Sequence, residues 1–177
     1  MVESAIVRCE WVERYPELTE YHDTIWGRPT RDDQQIFAAY GQCILHAGLL
    51  WTAMLKKRAI FAVAFDDWDV ELISQYDGAD IDRLVHTEGM IRNFQKINAI
   101  INNARRVLEV RQEFPTFADY IWRFEGKDGR RVAGNLSDDL RRRKFKFAGP
   151  TTAYGLMQDI GMVNDHDKQC FFAQKSF

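Results

Sequence analysis

The chain has 177 residues, 46% of them hydrophobic, and 24 lysines and arginines against 26 aspartates and glutamates give a net charge of −2. That length supports a full apolar core without cross-links, and the slightly acidic balance excludes a surface coated in positive potential for indiscriminate nucleic-acid binding. Three cysteines close no complete disulfide framework, and no apolar run approaches the length of a membrane span. One domain covering 1–177 is expected, with two helical lobes and a pocket between them as the variant of that plan. In the absence of a basic start and apolar run at the N-terminus, the expected compartment is the cytoplasm, with no membrane partner.

Taken in order, the elements are helical. Thr30 followed by Asp33 signals a helix start, and apolar residues at helical spacing carry it to about Ala47, where Gly48 interrupts. Further helices are expected from near Leu50 through Lys57 and before Phe65. Asp69 caps Val70 to Tyr76, and Asp80 starts a short helix that ends before Gly89. The most periodic stretch is Phe94 to Glu113, with Ile97, Ile100, Ile101, Ala104, Val107 and Leu108 on one face. Phe114-Pro115 ends it, Thr116 to Phe124 is another helix, and Gly126 to Gly134 is expected to be a charged loop. Ser137 is positioned to cap Asp138 to Lys144. Pro150 suits the first turn of a last helix through Gln158, stopped at Gly161. With no alternating strands, the fold class is all-α.

Between two of these helices, Leu84 to Ile97 reads as a helix-hairpin-helix, in which Gly89 makes the turn and backbone amides with Lys96 face a phosphate. Many helix pairs joined by a glycine turn bind nothing, so the reading is weak on its own. Local basic clusters at Lys56-Lys57-Arg58, Arg130-Arg131 and Arg141 to Lys146 are equally readable as solvated surface.

Two features carry more chemistry. Cys9-x12-His22 and His166-x3-Cys170 supply two thiolates and two imidazoles, the donors that a tetrahedral zinc ion prefers, with no position left for water. Cysteines and histidines in a chain of this size also occur without any metal. The N-terminal part is dense in aromatics, with Trp11, Tyr15, Tyr21, Trp26 and Trp51. These are suited either to core packing or to sandwiching a flat heterocycle such as an extruded purine.

Several ordered blocks make the chain resemble one family. They are Cys9-Glu10-Trp11, Tyr21-His22-Asp23-x-x-Trp26-Gly27, Ala47-Gly48-Leu49-x-Trp51, Leu55-Lys56-Lys57-Arg58, Gly89-Met90-Ile91-Arg92, Lys96-Ile97-x-Ala99-Ile100-Ile101, Phe145-Lys146-Phe147-x-Gly149 and Met162-Val163-Asn164-Asp165-His166-x-x-x-Cys170. The family is the bacterial 3-methyladenine DNA glycosylase I family. The resemblance implies a helix-hairpin-helix glycosylase fold, with one structural zinc on Cys9, His22, His166 and Cys170 joining the N- and C-terminal segments. It implies a monomer that acts on double-stranded DNA containing alkylated bases, flips 3-methyladenine or a related base and hydrolyses its N-glycosidic bond. Trp11, Tyr21, Trp26 and Trp51 would line the base pocket, and Gly48, Leu49, Gly89, Arg92 and Lys96 would meet the DNA.

The departures bear on chemistry. The family has a glutamate that hydrogen-bonds the flipped base, and ungapped matching puts Cys43 there, so Cys43 is the catalytic-position candidate and the pocket carboxylate is expected to be missing. Gln42 and His46 are the alternatives for reaching the base. Ile44 and Leu45 follow Cys43 where the family has polar or small residues, Ile25 stands where an acid often precedes the tryptophan, and Lys144 replaces a usual glycine. A reduced or redirected glycosylase is one expectation. The alternative is a catalytically silent, zinc-stabilised relative that binds damaged DNA or a free base.

Overall fold

A computed structural model describes residues 6–173. Among them there is no β-strand, and the α-helices are α1 (Glu10–Arg14), α2 (Thr19–Thr24), α3 (Asp33–His46), α4 (Trp51–Leu55), α5 (Arg58–Ala64), α6 (Val70–Ser74), α7 (Gly78–His86), α8 (Phe94–Val110), α9 (Phe117–Trp122), α10 (Gly129–Arg142) and α11 (Pro150–Asp159). The all-α class matches expectation. No helix among the described residues is long and apolar enough to cross a membrane.

Caps explain where the helices begin. Asp69, Asn93 and Thr116 each accept a hydrogen bond from the backbone N–H three residues on, opening α6, α8 and α9. Two starts differ from expectation. Asp32 caps α3 through Gln35 N at 2.8 Å, while the Thr30 hydroxyl accepts from Asp32 N and donates to Gln35 Oε1. Asp77 caps α7 in a capping box that Asp80 completes from inside the helix.

Of the expected charged loop at Gly126 to Gly134 only 126–128 are loop; from Gly129 the chain is α10, because Asp128 caps Arg131 and the helix buries Ala133, Leu136 and Leu140 on one face. Ser137 is no cap. It lies buried inside α10, and its hydroxyl donates to the Ala148 carbonyl at 2.7 Å. Lys144 has a left-handed backbone with φ +64, which accounts for the glycine usual at that place.

Helix α3 is central and packs on α4, α5, α8, α9 and α11. Ile36, Phe37, Tyr40 and Ile44 from α3 meet Ile97, Ile100, Ala104 and Val107 from α8, all at most 1% exposed. Each such side chain contributes about 1.5–3 kcal/mol of burial. A second, smaller core gathers Cys9, Val12, Leu18, Tyr21, Trp26, Leu55, Cys170 and Phe172, so that both ends of the described chain share it. Phe171 N donates to Val7 O at 2.9 Å across the same junction. Helix α11 approaches α3 through Gly155, where an added methyl group would sit 3.4 Å from Cys43 Sγ. It stops at Gly161, where φ is +73 and any side chain would collide with the 28–29 backbone.

Candidate active site and metal centre

The junction of the two cores opens into a cavity of about 740 Å³, a size that suits a small ligand. Its walls include Trp11, Trp26 and Trp51, with Cys43 from α3, Gly48 at the rim and Asp159 at the end of α11. The indoles hold one another edge to face, Trp11 to Trp51 at 4.9 Å and Trp11 to Trp26 at 5.5 Å. Tyr21 stands behind them with its ring 6.1 Å from Trp51 and covered by the Arg58 guanidinium at 4.6 Å. Both sequence readings of the aromatics therefore hold in part. Tyr21 and Trp26 are core residues at 7% exposure each, whereas Trp11 and Trp51 are half-buried walls.

The expectation of a pocket without a carboxylate is overturned. Asp159 Oδ1 accepts from the Tyr21 hydroxyl at 3.0 Å, and Oδ2 accepts from the Cys43 thiol at 3.5 Å. The group is partly accessible from the cavity and enclosed elsewhere by protein. Burial pushes its pKa up to about 6, against the Tyr21 hydrogen bond, the Arg58 charge and the Cys43 thiol, which all favour the ionised form.

Cys43 itself is a neutral donor. Burial and the neighbouring Asp159 charge hold its thiol well above the usual range, so it is neither a base nor a nucleophile at neutral pH. His46 lines the cavity and burial lowers its pKa, while Gln42 is not part of the wall. Asp159 is the residue that sequence reasoning missed. Its one signal was an acid set between Leu156-Met157 and Ile160 at a helix C-terminus, where the dipole disfavours negative charge.

Among the residues expected at DNA, Gly48 has φ +75 and open space where a side chain would be, and Leu49 beside it is 45% exposed. Gly89 has φ +79 and its carbonyl accepts from Lys57 Nζ at 2.8 Å; Arg92 is exposed. Lys96 is elsewhere. It is buried, and its ammonium donates to the Leu45 and Ala47 carbonyls at 2.7 and 2.8 Å. Those are C-terminal acceptors of α3 that have no partner within the helix, so Lys96 holds the turn into Gly48 and is unavailable to a phosphate.

Cys9, His22, His166 and Cys170 converge, with their ligand atoms all within 4.8 Å of one another. Zn–S of about 2.3 Å and Zn–N of about 2.0–2.1 Å in a tetrahedron put neighbouring S and N donors about 3.6 Å apart. The observed separations are 3.5 Å for Cys9 Sγ to His166 Nδ1, 3.5 Å for Cys170 Sγ to His22 Nε2 and 3.7 Å for Cys170 Sγ to His166 Nδ1. The donor set therefore fits a closed tetrahedral ion. Asp23 receives His22 Nδ1 at 2.8 Å and is itself gripped by Arg8 Nε and Nη2, the outer support that orients a ligating imidazole. Gly27 is needed beside it, because a Cβ there would lie 2.7 Å from His166 Nε2. Burial pushes the Cys9 thiol up to about 12, a cost that a bound dication relieves.

The described residues thus combine an all-helical fold, an aromatic cavity with an enclosed acid in its wall, and a Cys2His2 cluster drawn from their N- and C-terminal segments. The model of the methyladenine glycosylase family matches residues 11–174. DNA-3-methyladenine glycosylase 1 of Escherichia coli K12 is 36% identical, over 92% of this chain and 95% of that protein. 3-Methyladenine DNA glycosylase I of Staphylococcus aureus, in a structure concerned with 3-methyladenine recognition, superposes with TM-score 0.87 at 29% identity, covering 98% of this chain and 100% of that one. A Tyr-to-Phe variant of 3-methyladenine DNA glycosylase I in complex with 3-methyladenine gives TM-score 0.86 at 29% identity, over 95% and 98% of the two chains. The chain belongs to the methyladenine glycosylase family.

Proposed function

We propose that this chain is a base-excision-repair DNA glycosylase that flips 3-methyladenine, or a closely related alkylated base, out of double-stranded DNA and hydrolyses its N-glycosidic bond. The observation that carries the reading is the aromatic cavity with the enclosed acid Asp159 in its wall, set in a chain that is 36% identical to a glycosylase over nearly its whole length. Alkylation at N3 leaves the nucleoside base cationic. When the C1′–N9 bond breaks, its electron pair stays on N9 and the base departs neutral. A water oxygen bonds to C1′ and loses a proton to solvent, leaving an abasic site. Because the leaving group is already activated, the protein acts mainly by binding the extruded cation better than a stacked base.

Trp11 and Trp51 would stack on that base, and an indole facing a desolvated cation contributes about 2 kcal/mol. Trp26 and Tyr21 would close the back of the pocket, while Gly48 and Leu49 would enter the gap left in the duplex. Gly89 and Arg92, on the α7–α8 helix-hairpin-helix, would contact the backbone. Zinc on Cys9, His22, His166 and Cys170 would be structural, since four protein ligands leave no position for a reactant. It would fasten the segments that carry Trp11 and Tyr21 within one monomeric domain spanning 1–177.

Incubating methylated DNA with excess protein and identifying released bases by mass spectrometry tests the proposal, with free 3-methyladenine the expected product. A silent relative that only binds lesions or free bases is the second reading, favoured by the neutral thiol at position 43. It predicts lesion affinity with no abasic product.

A further inference from the structure

Asp159 is placed where an acid with only a structural role has little reason to be. It closes α11, at the helix end where negative charge is disfavoured, and protein encloses it on all sides but the cavity. Its two hydrogen-bond donors, the Tyr21 hydroxyl and the Cys43 thiol, are both neutral, so neither cancels its charge. A carboxylate has about four acceptor sites on two oxygens. Two are taken by these donors, and Asp159 lines the cavity that the indoles also wall, so the others are within reach of a ligand there. Groups held at such cost cluster at functional sites. A cationic ring stacked against Trp11 and Trp51 would add its positive charge to that of Arg58 and bring N–H donors to the remaining acceptors.

We propose that Asp159 is the specificity-determining residue of this pocket, accepting hydrogen bonds from the N–H edge of a flipped cationic adenine, with Tyr21 and Cys43 as the positioning residues that aim it. The inference rests on the glycosylase reading for its ligand. It makes Cys43 part of a relocated acid: the carboxylate arrives from α11, and the small thiol on α3 leaves room for it and donates to it. Neutral bases, which bring no counter-charge, are selected against.

The test titrates 3,9-dimethyladeninium, a permanent cation whose N9 methyl stands for the sugar, into wild type and Asp159→Asn, read by tryptophan fluorescence, and measures base release from methylated DNA in parallel. Loss of a charge-assisted hydrogen bond predicts roughly 10- to 150-fold weaker binding and slower release in Asp159→Asn. Unchanged or higher melting temperature near neutral pH would show that the variant is folded. The double variant Cys43→Glu with Asp159→Ala returns the carboxylate to α3 and is expected to recover binding.

If Asp159→Asn binds and excises like wild type, the proposal fails while the glycosylase reading stands. If wild type binds the base in an Asp159-dependent way yet releases none from DNA, the role of Asp159 stands and the hydrolytic reading falls. If wild type does neither, both are overturned.

Discussion

Resemblance alone predicts that Cys43→Glu, which restores the family's residue, raises 3-methyladenine excision. The structure predicts the opposite. Cys43 Sγ lies 3.5 Å from Asp159 Oδ2, and a glutamate Cγ takes the place of that sulfur, so its carboxylate sits within about 4 Å of the aspartate. Two unit charges at about 4 Å repel by about 4 kcal/mol at an effective dielectric of about 20. The pair then holds one proton near neutral pH and titrates as a unit, as facing acids do. Crowding against α11 adds to the cost, because Gly155 already meets the thiol.

The expected outcome is a variant destabilised by a few kcal/mol at pH 7.5, with no gain in excision and with proton uptake on folding. Removing the second acid in the Asp159→Ala background relieves the destabilisation. Melting curves across about pH 5–9 beside excision assays check this. Cys43→Glu that excises faster than wild type and keeps its pH slope would refute the geometry assigned to Asp159.

Other outcomes follow from the same contacts. The folded pKa of Asp159 is about 6 against an ordinary 3.8, so the folded state holds the extra proton and stability falls as pH rises from about 4 through about 6. Asp159→Asn removes that loss and is expected to be more stable than wild type at pH 7.5 by at most about 3 kcal/mol, measured by denaturant unfolding. Lys96→Met orphans two carbonyls of α3 and should cost about 2–3 kcal/mol. Its salt dependence of DNA binding should stay that of wild type, whereas loss of a phosphate contact would change the log–log slope by about 0.9. Chelation, or Cys170→Ser, should remove one metal ion per chain, lower the melting temperature and expose Trp11 and Trp26 to quencher; unaltered melting of the metal-free protein would contradict the clasp.

Local chemistry was legible in the sequence wherever its signal was local. The cap at Asp69, the helix start at Thr116, the apolar face of α8 and the proline and glycine bounding α11 each act within a turn or two, and all appear close to where they were expected. The Cys9, His22, His166 and Cys170 quartet was only suggested by the ligand spacing of its two half-sites, and the family resemblance singled it out. The start of α10 was hidden by three glycines and a charge run, which outweigh a sparse Ala133, Leu136, Leu140 stripe when packing is unknown. Lys96 was misread because its partners, the Leu45 and Ala47 carbonyls, belong to a distant helix end. Asp159 was missed for the same reason: only the approach of α11 to α3 across Gly155, and of Tyr21 from α2, turns an ordinary helix-terminal acid into an enclosed acid of the cavity wall.

The role of Asp159 is tested most directly by single-turnover excision on a duplex carrying one 3-methyladenine, with wild type and Asp159→Asn in excess. One abasic site per duplex is expected for wild type, and a rate lower by roughly 10- to 150-fold for the variant. A variant that excises as fast as wild type would contradict that role, and a duplex left intact by wild-type protein that is folded and metal-loaded would contradict the glycosylase reading.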